Sequence, residues 1–298
     1  MPSIKEYNSK IKSLKNTQKI TKTMKMVSAS KLRKANEAQS NAKSYAKHIT
    51  DLISRVTAQL TKDDHPLLKT HKENNKALIL VFTSDRGLCG AFNHNAHKQV
   101  LSWIERNQGQ YDQIDVSCCG KKGYAFFQRR LPIKNHYENL NNEPSFESAV
   151  RIGGDLAEHF ILGEYHEIYL VYNQFFSPLL QKSIFEKILP IDPAVLIRRD
   201  LRDDTKENIT KNEYGYIFEP NQKVLLNYLI PHFLYFKVYF AMLENWAGEH
   251  GARMTSMDNA TKNAVDLIQK NTLLRNRARQ AAITTELTEI VAGAEALK

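Results

Sequence analysis

Apolar residues in the first part of the chain recur in steps of three and four, which is the spacing that keeps one stripe of a helix against a partner helix. Ser3 and Glu6 have the spacing of a capping box and predict the start of this helix. No glycine or proline lies between Ser3 and Pro66. The pattern therefore predicts one helix of about 55 to 60 residues, roughly 85 to 90 Å long at 1.5 Å per residue. The predicted stripe begins with Ile4, Tyr7, Ile11 and Leu14. After a stretch with Ile20, Met24 and Val27, which are also available for packing, it resumes at Ala35, Ala38, Ala42, Tyr45, Ile49, Leu52 and Val56.

The end of the chain carries a second long helical pattern, which begins after Pro220. Within it Pro231 predicts a kink, and the pair Gly248 and Gly251 predicts a weak point. Residues 253–297 then contain no proline and predict a second seam. Two such helices at opposite ends of one chain predict an antiparallel coiled coil, with ordinary amphipathic helices on a globular core as the alternative. The predicted seam consists of Met257, Ala260, Ala264, Leu267, Asn271, Leu274, Ala278 and Ala281.

The middle of the chain has the pattern of a compact α/β domain. Strand, helix and strand alternate at a spacing that predicts a parallel sheet with crossover helices, and residues 183–191 predict an additional edge strand. The predicted strands are residues 77–85, 114–120 and 167–175, and the predicted helices lie near 91–107, 121–130 and 145–162. The predicted division is 1–60 for the N-terminal helix, 61–76 for a polar linker, 77–219 for the α/β domain and 220–298 for the C-terminal helix.

Composition adds the class of protein and its compartment. Hydrophobic residues make up 42% of the chain and charged residues 25%, which are ordinary globular values. No apolar run approaches the roughly 18 residues that span a bilayer. The first residues show no apolar signal core, so we expect a soluble cytoplasmic protein without an export signal or transit peptide. Cys89, Cys118 and Cys119 form neither a disulfide framework nor a CxxC knuckle, which predicts structural or incidental thiols.

The positive charge is concentrated at one end of the chain. The formal net charge is +10, and residues 1–60 contain 11 Lys and 2 Arg against 3 acidic residues. Residues 8–44 contain no aromatic side chain that could stack on a base. The pattern therefore favours docking to an acidic protein surface. A basic coiled-coil nucleic-acid-binding protein is the alternative, which salt-dependent affinity for DNA would favour.

The sequence offers little for catalysis. Gly87 and Gly90 in the loop SDRGLCGAFN (84–93) fit neither the dinucleotide nor the nucleotide triphosphate fingerprint, so the loop predicts a tight turn. His166 lacks the second histidine of H-E-x-x-H, and no nucleophile elbow is present. We expect no catalytic residue, no cofactor site and no metal site. A free-standing α/β enzyme with helical arms is a further alternative, which turnover by the purified chain would favour.

Three motifs in this order resemble the γ subunit of rotary F-type ATP synthase: NTQKITKTMKMVSASKLRKA, SDRGLCGAFN and RARQAAITTELTEIVAGAEAL. The resemblance covers essentially the whole chain. It implies a Rossmann-like central domain and a central rotor stalk, whose terminal helices form an antiparallel, left-handed coiled coil inside a ring of three α and three β subunits. It also implies a non-catalytic subunit. Proton flow would turn the shaft, and the asymmetric shaft would take the three β sites through different affinities for ATP synthesis.

The resemblance further implies roles for individual residues. Arg279, Gln280 and Thr284 match the positions that hydrogen-bond to catch loops of the α and β ring. Met24 and Lys25 match the segment that faces an acidic lever of β. An aliphatic tip would turn in an apolar bearing, since apolar contact presents few directional bonds. The tip residues are Ile283, Leu287, Ile290 and Val291.

The implied partners are the α3β3 hexamer, the ε subunit and the c-ring, with no nucleic acid and no direct lipid insertion. The implied location is the cytoplasmic face of the bacterial inner membrane, as a peripheral protein. Residues 198–216 are the predicted foot loop. The sequence departs from the family's pattern at LLRNRARQ, where an aromatic commonly precedes the motif. It also lacks the extra cysteine pair of the chloroplast form.

Overall fold

In a computed structural model, residues 3–56, 65–70, 75–138, 143–192 and 222–296 are described. The chain divides into two compact units. Unit 1 consists of Met1–Ser30 and Arg253–Lys298, and unit 2 consists of Lys31–Ala252. Each terminal helix therefore contributes residues to both units.

The predicted terminal helices are present and long. Helix α1 spans Ile4–Val56, 53 residues, and helix α5 spans Gln222–Ala296, 75 residues. The hydroxyl oxygen of Ser3 accepts a hydrogen bond from the N–H of Glu6 at 3.3 Å, which is one half of the predicted capping box. A proline, Pro231, lies inside α5.

The seam of unit 1 follows a strict alternation of three and four residues on both helices. This differs from the prediction, because Ile20 and Val27 are 59% and 52% exposed and Leu267 is 46% exposed. Ala281 is exposed as well. The heptad continues through polar residues, so the apolar residues beside them point outward. The buried or half-buried residues that follow this alternation are Ile4, Tyr7, Ile11, Leu14, Gln18, Thr21, Lys25 and Ser28 on α1, and Met257, Thr261, Ala264, Ile268, Asn271, Arg275 and Ala278 on α5. Of the other predicted seam residues, Met24, Ala260 and Leu274 are half-buried beside them.

The two helices of unit 1 pair in antiparallel fashion, as predicted. The hydroxyl oxygens of Thr21 and Thr261 lie 2.7 Å apart, and the ammonium nitrogen of Lys25 lies 2.5 Å from a carboxylate oxygen of Asp258. Four residues forward on α1 therefore match three residues backward on α5. This is the relation that an antiparallel coiled coil requires.

The C-terminal part of α5 has no partner helix among the described residues of unit 1. Thr21 and Thr261 face each other across the coil. Counting equal numbers of residues from this pair, toward the N-terminus on α1 and toward the C-terminus on α5, leads to Ile4, the first residue of α1, and to Ala278. The start of α1 is thus level with Ala278. Every side chain described from Arg279 to Glu295 is exposed, because α5 continues past the start of α1.

Unit 2 contains a sheet of five strands, which are β1 Lys76–Phe82, β2 Gln113–Cys119, β3 Ile133–Tyr137, β4 Glu167–Ser177 and β5 Leu180–Leu189. Their order in the sheet is β3-β2-β1-β4-β5. The first four strands are parallel, and β5 pairs antiparallel to β4 as a hairpin, which confirms the predicted edge strand. Strand β3 was missed by the sequence pattern, because its five residues IKNHY mix polar and half-buried positions.

Helices cover both faces of this sheet. They are α2 Phe92–Arg106, α3 Lys121–Phe127 and α4 Phe146–Ile161, with a short 3₁₀ helix at Pro66–Leu68. Side chains of β1 alternate between two cores: Leu78 and Leu80 pack with α4 and α5, and Ile79 and Val81 pack with α2 and α3. Burial on both faces explains why β1 is a continuous apolar run.

Gly248 and Gly251 are sites of close packing, so the predicted weak point is wrong. Helix α5 continues through both residues. A methyl group on Gly248 would lie 3.0 Å from the ring of Phe92, and one on Gly251 would lie 2.9 Å from the ring of Phe175. The glycines therefore allow the helix to approach the sheet and its hairpin.

Helix α5 is the one described helix that is long and apolar enough to cross a membrane by length and composition, with 44% of its most apolar window buried. The core helix of a soluble protein passes the same criteria. In unit 2, α5 buries Ile230, Leu234, Val238 and Leu243 to at least 99% of their surfaces. Packing against the sheet thus accounts for the apolar composition of this part of α5.

Some predicted features lie outside the described residues. They include the foot loop at 198–216 and most of the linker at 61–76. The side chains of the last predicted stripe positions of α1 are also outside the description, namely Tyr45, Ile49, Leu52 and Val56.

Candidate protein interface

The end of α5 presents an apolar surface to solvent. Its four large aliphatic side chains are those of Ile283, Leu287, Ile290 and Val291, which are 47%, 58%, 67% and 60% exposed. Steps of three and four place them on one side of the helix. Exposed apolar side chains that form a contiguous stripe mark interaction surfaces more often than singly scattered ones do. The predicted tip residues are therefore brought together and left accessible.

Arg279, Gln280 and Thr284 are exposed just before and within this tip. The hydroxyl of Thr284 donates a hydrogen bond to the carbonyl oxygen of Gln280 at 3.0 Å, so its hydrogen is used within the helix. Its oxygen retains acceptor capacity. The side chains of Arg279 and Gln280 supply donors, and Gln280 also supplies an acceptor. These groups can hydrogen-bond to a partner, and none is arranged for proton transfer or nucleophilic attack.

The side chain of Lys25 points from α1 toward α5 of the same chain. Its ammonium group pairs with Asp258 at 2.5 Å, and Lys262 reaches the other oxygen of the same carboxylate at 3.0 Å. Hydrogen bonds from Lys25 and then Lys262 hold the pKa of Asp258 below its usual value. Met24 beside it is half-buried. The lysine predicted to face an acidic partner therefore already has a carboxylate within the coil.

The outward surface next to Lys25 consists of side chains that the sequence prediction had placed in the seam or passed over. Ile20, Met26 and Val27 are 59%, 59% and 52% exposed. They lie among exposed lysines, including Lys19 and Lys22. A heptad running through Gln18, Thr21, Lys25 and Ser28 leaves Ile20 and Val27 outside the seam. Hydrophobicity along the sequence favours the other stripe, so only the packed helices show which one faces the partner.

The glycine-containing loop at 84–93 is a tight turn whose polar groups bond to one another. The amide oxygen of Asn93 accepts from the N–H of Ser84 at 2.9 Å, and its NH₂ group donates to the hydroxyl oxygen of Ser84 at 2.7 Å. Gly90 has φ of 59°, a conformation that favours glycine. Leu88 has φ of 64° and is 61% exposed. This geometry agrees with the structural interpretation of the loop.

Burial shifts the pKa values of two thiols and one histidine of unit 2 in the direction that favours their uncharged forms. Burial raises the pKa of the Cys118 thiol to about 12 and raises that of Cys119 as well, and a thiol that stays protonated is a poor nucleophile. Burial, with the charges of His94 and Arg130, lowers the pKa of His97 to about 4. His97 is stacked on Phe126 at 4.1 Å. Among the described residues, no group of three His, Cys, Asp or Glu side chains could hold a metal ion.

Comparison with known proteins gives one consistent result. The family model described as ATP synthase matches residues 3–297. The ATP synthase gamma chain of Trichlorobacter lovleyi is 41% identical over 298 residues, with 100% of each chain covered. The ATP synthase gamma chain of Pelotomaculum thermopropionicum is 42% identical over 299 residues, again with 100% of each chain covered.

Solved structures share the fold. A chain from the Euglena gracilis mitochondrial ATP synthase superposes with a TM-score of 0.65 at 21% identity, covering 99% of this chain and 94% of that chain. A chain from the central stalk and c-ring of the Tetrahymena thermophila mitochondrial ATP synthase gives a TM-score of 0.59 at 24% identity, covering 81% of this chain and 99% of that chain.

Proposed function

Because this chain belongs to the family of ATP synthase gamma chains, we propose that it is the central rotor shaft of a rotary F-type ATP synthase. The observation that carries the proposal is the antiparallel coil of unit 1, from which α5 continues past the start of α1 with an exposed apolar tip. The family assignment leaves the nucleic-acid-binding alternative without support. The chain is a non-catalytic subunit, and the chemistry of ATP synthesis takes place in the β subunits.

The shaft acts through the shape and charge of its surface. Each rotor angle presents different side chains to each of the three β subunits, and a conformation of β that makes better contact is favoured at that angle. Rotation then shifts the three sites through their affinities in turn. Only contacts that differ between conformations can do this, so an asymmetric helix pair suits the role.

The tip and the catch residues have distinct parts in this proposal. Ile283, Leu287, Ile290 and Val291 turn against an apolar sleeve formed by the ends of the α and β subunits. Such contacts lack directional bonds, so little has to be broken at each step. Arg279, Gln280 and Thr284 lie next to the tip and exchange hydrogen bonds with loops of the ring. Charged and amide donors make such bonds specific in direction.

Met24 and Lys25 belong to the part of the shaft that faces the acidic lever of β in this proposal. The ion pair between Lys25 and Asp258 means that the positive field there comes also from the exposed lysines around it, including Lys19 and Lys22. The exposed side chains of Met26 and Val27 add apolar contact beside this charge. We therefore extend the proposed lever contact to these neighbours.

The remaining partners follow from the same role. Unit 2 binds the ε subunit and rests on the c-ring, and residues 198–216 form the foot loop. The proposed division assigns residues 1–60 and 220–298 to the two shaft helices, 61–76 to the linker and 77–219 to the α/β lobe. The complex lies at the cytoplasmic face of the bacterial inner membrane, with this subunit peripheral to the lipid.

The test is reconstitution of purified α and β subunits with this chain and with a version that ends at Arg275. The full chain is expected to give an α3β3 complex with multi-site ATP turnover, and the truncated chain a complex with impaired turnover. Because Cys118 and Cys119 are buried, the rotation label belongs on an exposed position of α2, such as Lys98→Cys. A full chain that neither assembles with α and β nor changes their ATP turnover would contradict the proposal.

A further inference from the structure

Few apolar side chains of unit 1 are fully buried between its two helices. Its buried apolar residues, among those described, are Ile11, Met257 and Ala264. Its buried polar residues include Thr21, Ser28 and Asn271. Because the stripe repeats every seven residues, sliding one helix by a heptad would keep the same faces in contact. Apolar packing alone therefore specifies the alignment of this coil weakly.

Two polar contacts between the helices lie one turn apart in the middle of the unit. The Thr21 and Thr261 hydroxyls are 2.7 Å apart, and the hydroxyl of Thr261 is also 2.7 Å from the carbonyl oxygen of Met257, to which it donates. The hydroxyl of Thr21 also lies 3.1 Å from the carbonyl oxygen of Gln18 on its own helix. Its single hydrogen is therefore shared between that oxygen and the nearer hydroxyl oxygen of Thr261. Asp258 binds Lys25 from the facing helix and Lys262 from its own. We call Thr21, Lys25, Asp258, Thr261 and Lys262 the polar clasp.

We propose that the polar clasp sets the antiparallel register of the unit 1 coil. A slip by one heptad would bring Thr21 level with Ile268 or Met254, and in the first direction it would bring Lys25 level with Val265. Hydroxyl and ammonium groups would then face apolar side chains, and Asp258 would lose its partner on α1. Polar groups in a coiled-coil seam are known to specify register in this way, because only one alignment pairs them.

A shaft needs a defined register, since a helix that slides along its partner loses the fixed relation between angle and surface. The inference concerns the coil itself and does not depend on the proposed contacts with α, β, ε or the c-ring. It can therefore be tested on the purified full-length chain.

Cysteine pairs can report the register. Leu14 and Ile268 each lie seven residues from the Thr21 and Thr261 pair, toward the N-terminus on α1 and the C-terminus on α5, so Leu14→Cys with Ile268→Cys reports the native alignment. Leu14→Cys with Arg275→Cys reports a slip of one heptad. Cys89, Cys118 and Cys119 are buried, so mild oxidation favours the introduced pairs. Intramolecular disulfide formation is read from the shift in gel mobility and by peptide mass spectrometry.

Asp258→Lys is the variant that tests the proposal. We expect the rate of native-register cross-linking to fall roughly five- to tenfold, because two ammonium groups meet in the seam and the ion pair is lost. Slipped-register cross-linking should rise. Adding Lys25→Glu to Asp258→Lys should restore the native rate, since the pair returns with its charges exchanged. This rescue separates a role in register from a general loss of folding.

Asp266→Lys is the matched control, because it makes the same change of charge on the exposed side of α5 in the same unit. It should leave both cross-linking rates unchanged. The proposal is overturned if Asp258→Lys behaves like Asp266→Lys, or if Lys25→Glu with Asp258→Lys cross-links no better in the native register than Asp258→Lys alone.

Discussion

Glu244 of α5 accepts a hydrogen bond from the side-chain amide of Gln39 on α1, and its second carboxylate oxygen accepts from the N–H of Phe175 in β4 at 2.7 Å. Glu244 is 2% exposed. One buried carboxylate thus joins α1, α5 and the sheet within unit 2. A buried charge is tolerated when hydrogen bonds satisfy it, and here the donors come from two other elements.

Replacing Glu244 with leucine should destabilise unit 2 by about 2 to 4 kcal/mol, because the Phe175 N–H and the Gln39 amide would lose their acceptor in a buried place. Urea unfolding followed by circular dichroism measures the change. Glu244→Gln is the matched variant and should cost less, since it keeps an acceptor oxygen. Equal losses for the two variants would show that the hydrogen bonds are not the cause.

The close packing at Gly251 predicts a steric effect. A side chain there meets the Phe175 ring at 2.9 Å and the Cα of Pro178 at 3.2 Å, so Gly251→Val should lower the free energy of unfolding by about 1 to 3 kcal/mol. At Gly154 of α4, an added methyl group would have no other atom within 4 Å. Gly154→Ala should instead stabilise by about 0.5 to 1 kcal/mol through helix propensity. Urea unfolding measures both changes. If Gly154→Ala also destabilises the protein, steric contact of the added side chain is not the cause of the loss at Gly251.

His97 predicts a pH dependence of stability. Its pKa in the folded state is about 4, whereas an unfolded histidine has a pKa of about 6.5. The unfolded chain therefore binds a proton more readily between these values, and stability falls as the pH is lowered from about 6.5 toward 4, by roughly 2 to 4 kcal/mol in total. Above pH 6.5 this contribution is constant.

His97→Phe removes the titrating group and keeps a ring that can stack on Phe126. The slope of unfolding free energy against pH between about 4 and 6.5 should then become smaller than in the parent chain. His232→Phe is the control, since His232 lies on α5 and contacts Tyr228 and Tyr235 rather than the ring of Phe126. If the slope is the same with and without His97, other groups account for the acid sensitivity.

The exposed tip predicts a separation of stability from function. Leu287→Ser with Ile290→Ser should change the free energy of unfolding by less than about 0.5 kcal/mol, because both side chains are already exposed. In the reconstituted α3β3 complex, the same variant should lower ATP turnover or rotational torque. Leu273→Ser is a control, since Leu273 is 64% exposed and lies outside the predicted tip. Unchanged turnover and torque for the double variant would show that these side chains do not act as the bearing.

Most of the architecture could be predicted from local patterns. The two long helices have apolar residues in steps of three and four, and three of the four parallel strands and the edge strand are short runs rich in apolar residues, so neighbouring residues reveal them. Strand β3 could not be found in this way, because it is short and half-buried, and its pairing with β2 holds it in place. The candidate tip was predicted from its sequence motif, and its exposure came from the structure.

The sequence by itself determined the length of the terminal helices, their antiparallel pairing and the apolar character of the tip, because these depend on the order of residues along the chain. Tertiary structure alone decided which side chains enter the seam: Thr21 and Lys25 lie inside, whereas Ile20 and Val27 lie outside. Hydrophobicity along the sequence favours the opposite choice. The strict heptad geometry of two packed helices overrides it, since a helix can turn only one continuous face toward its partner.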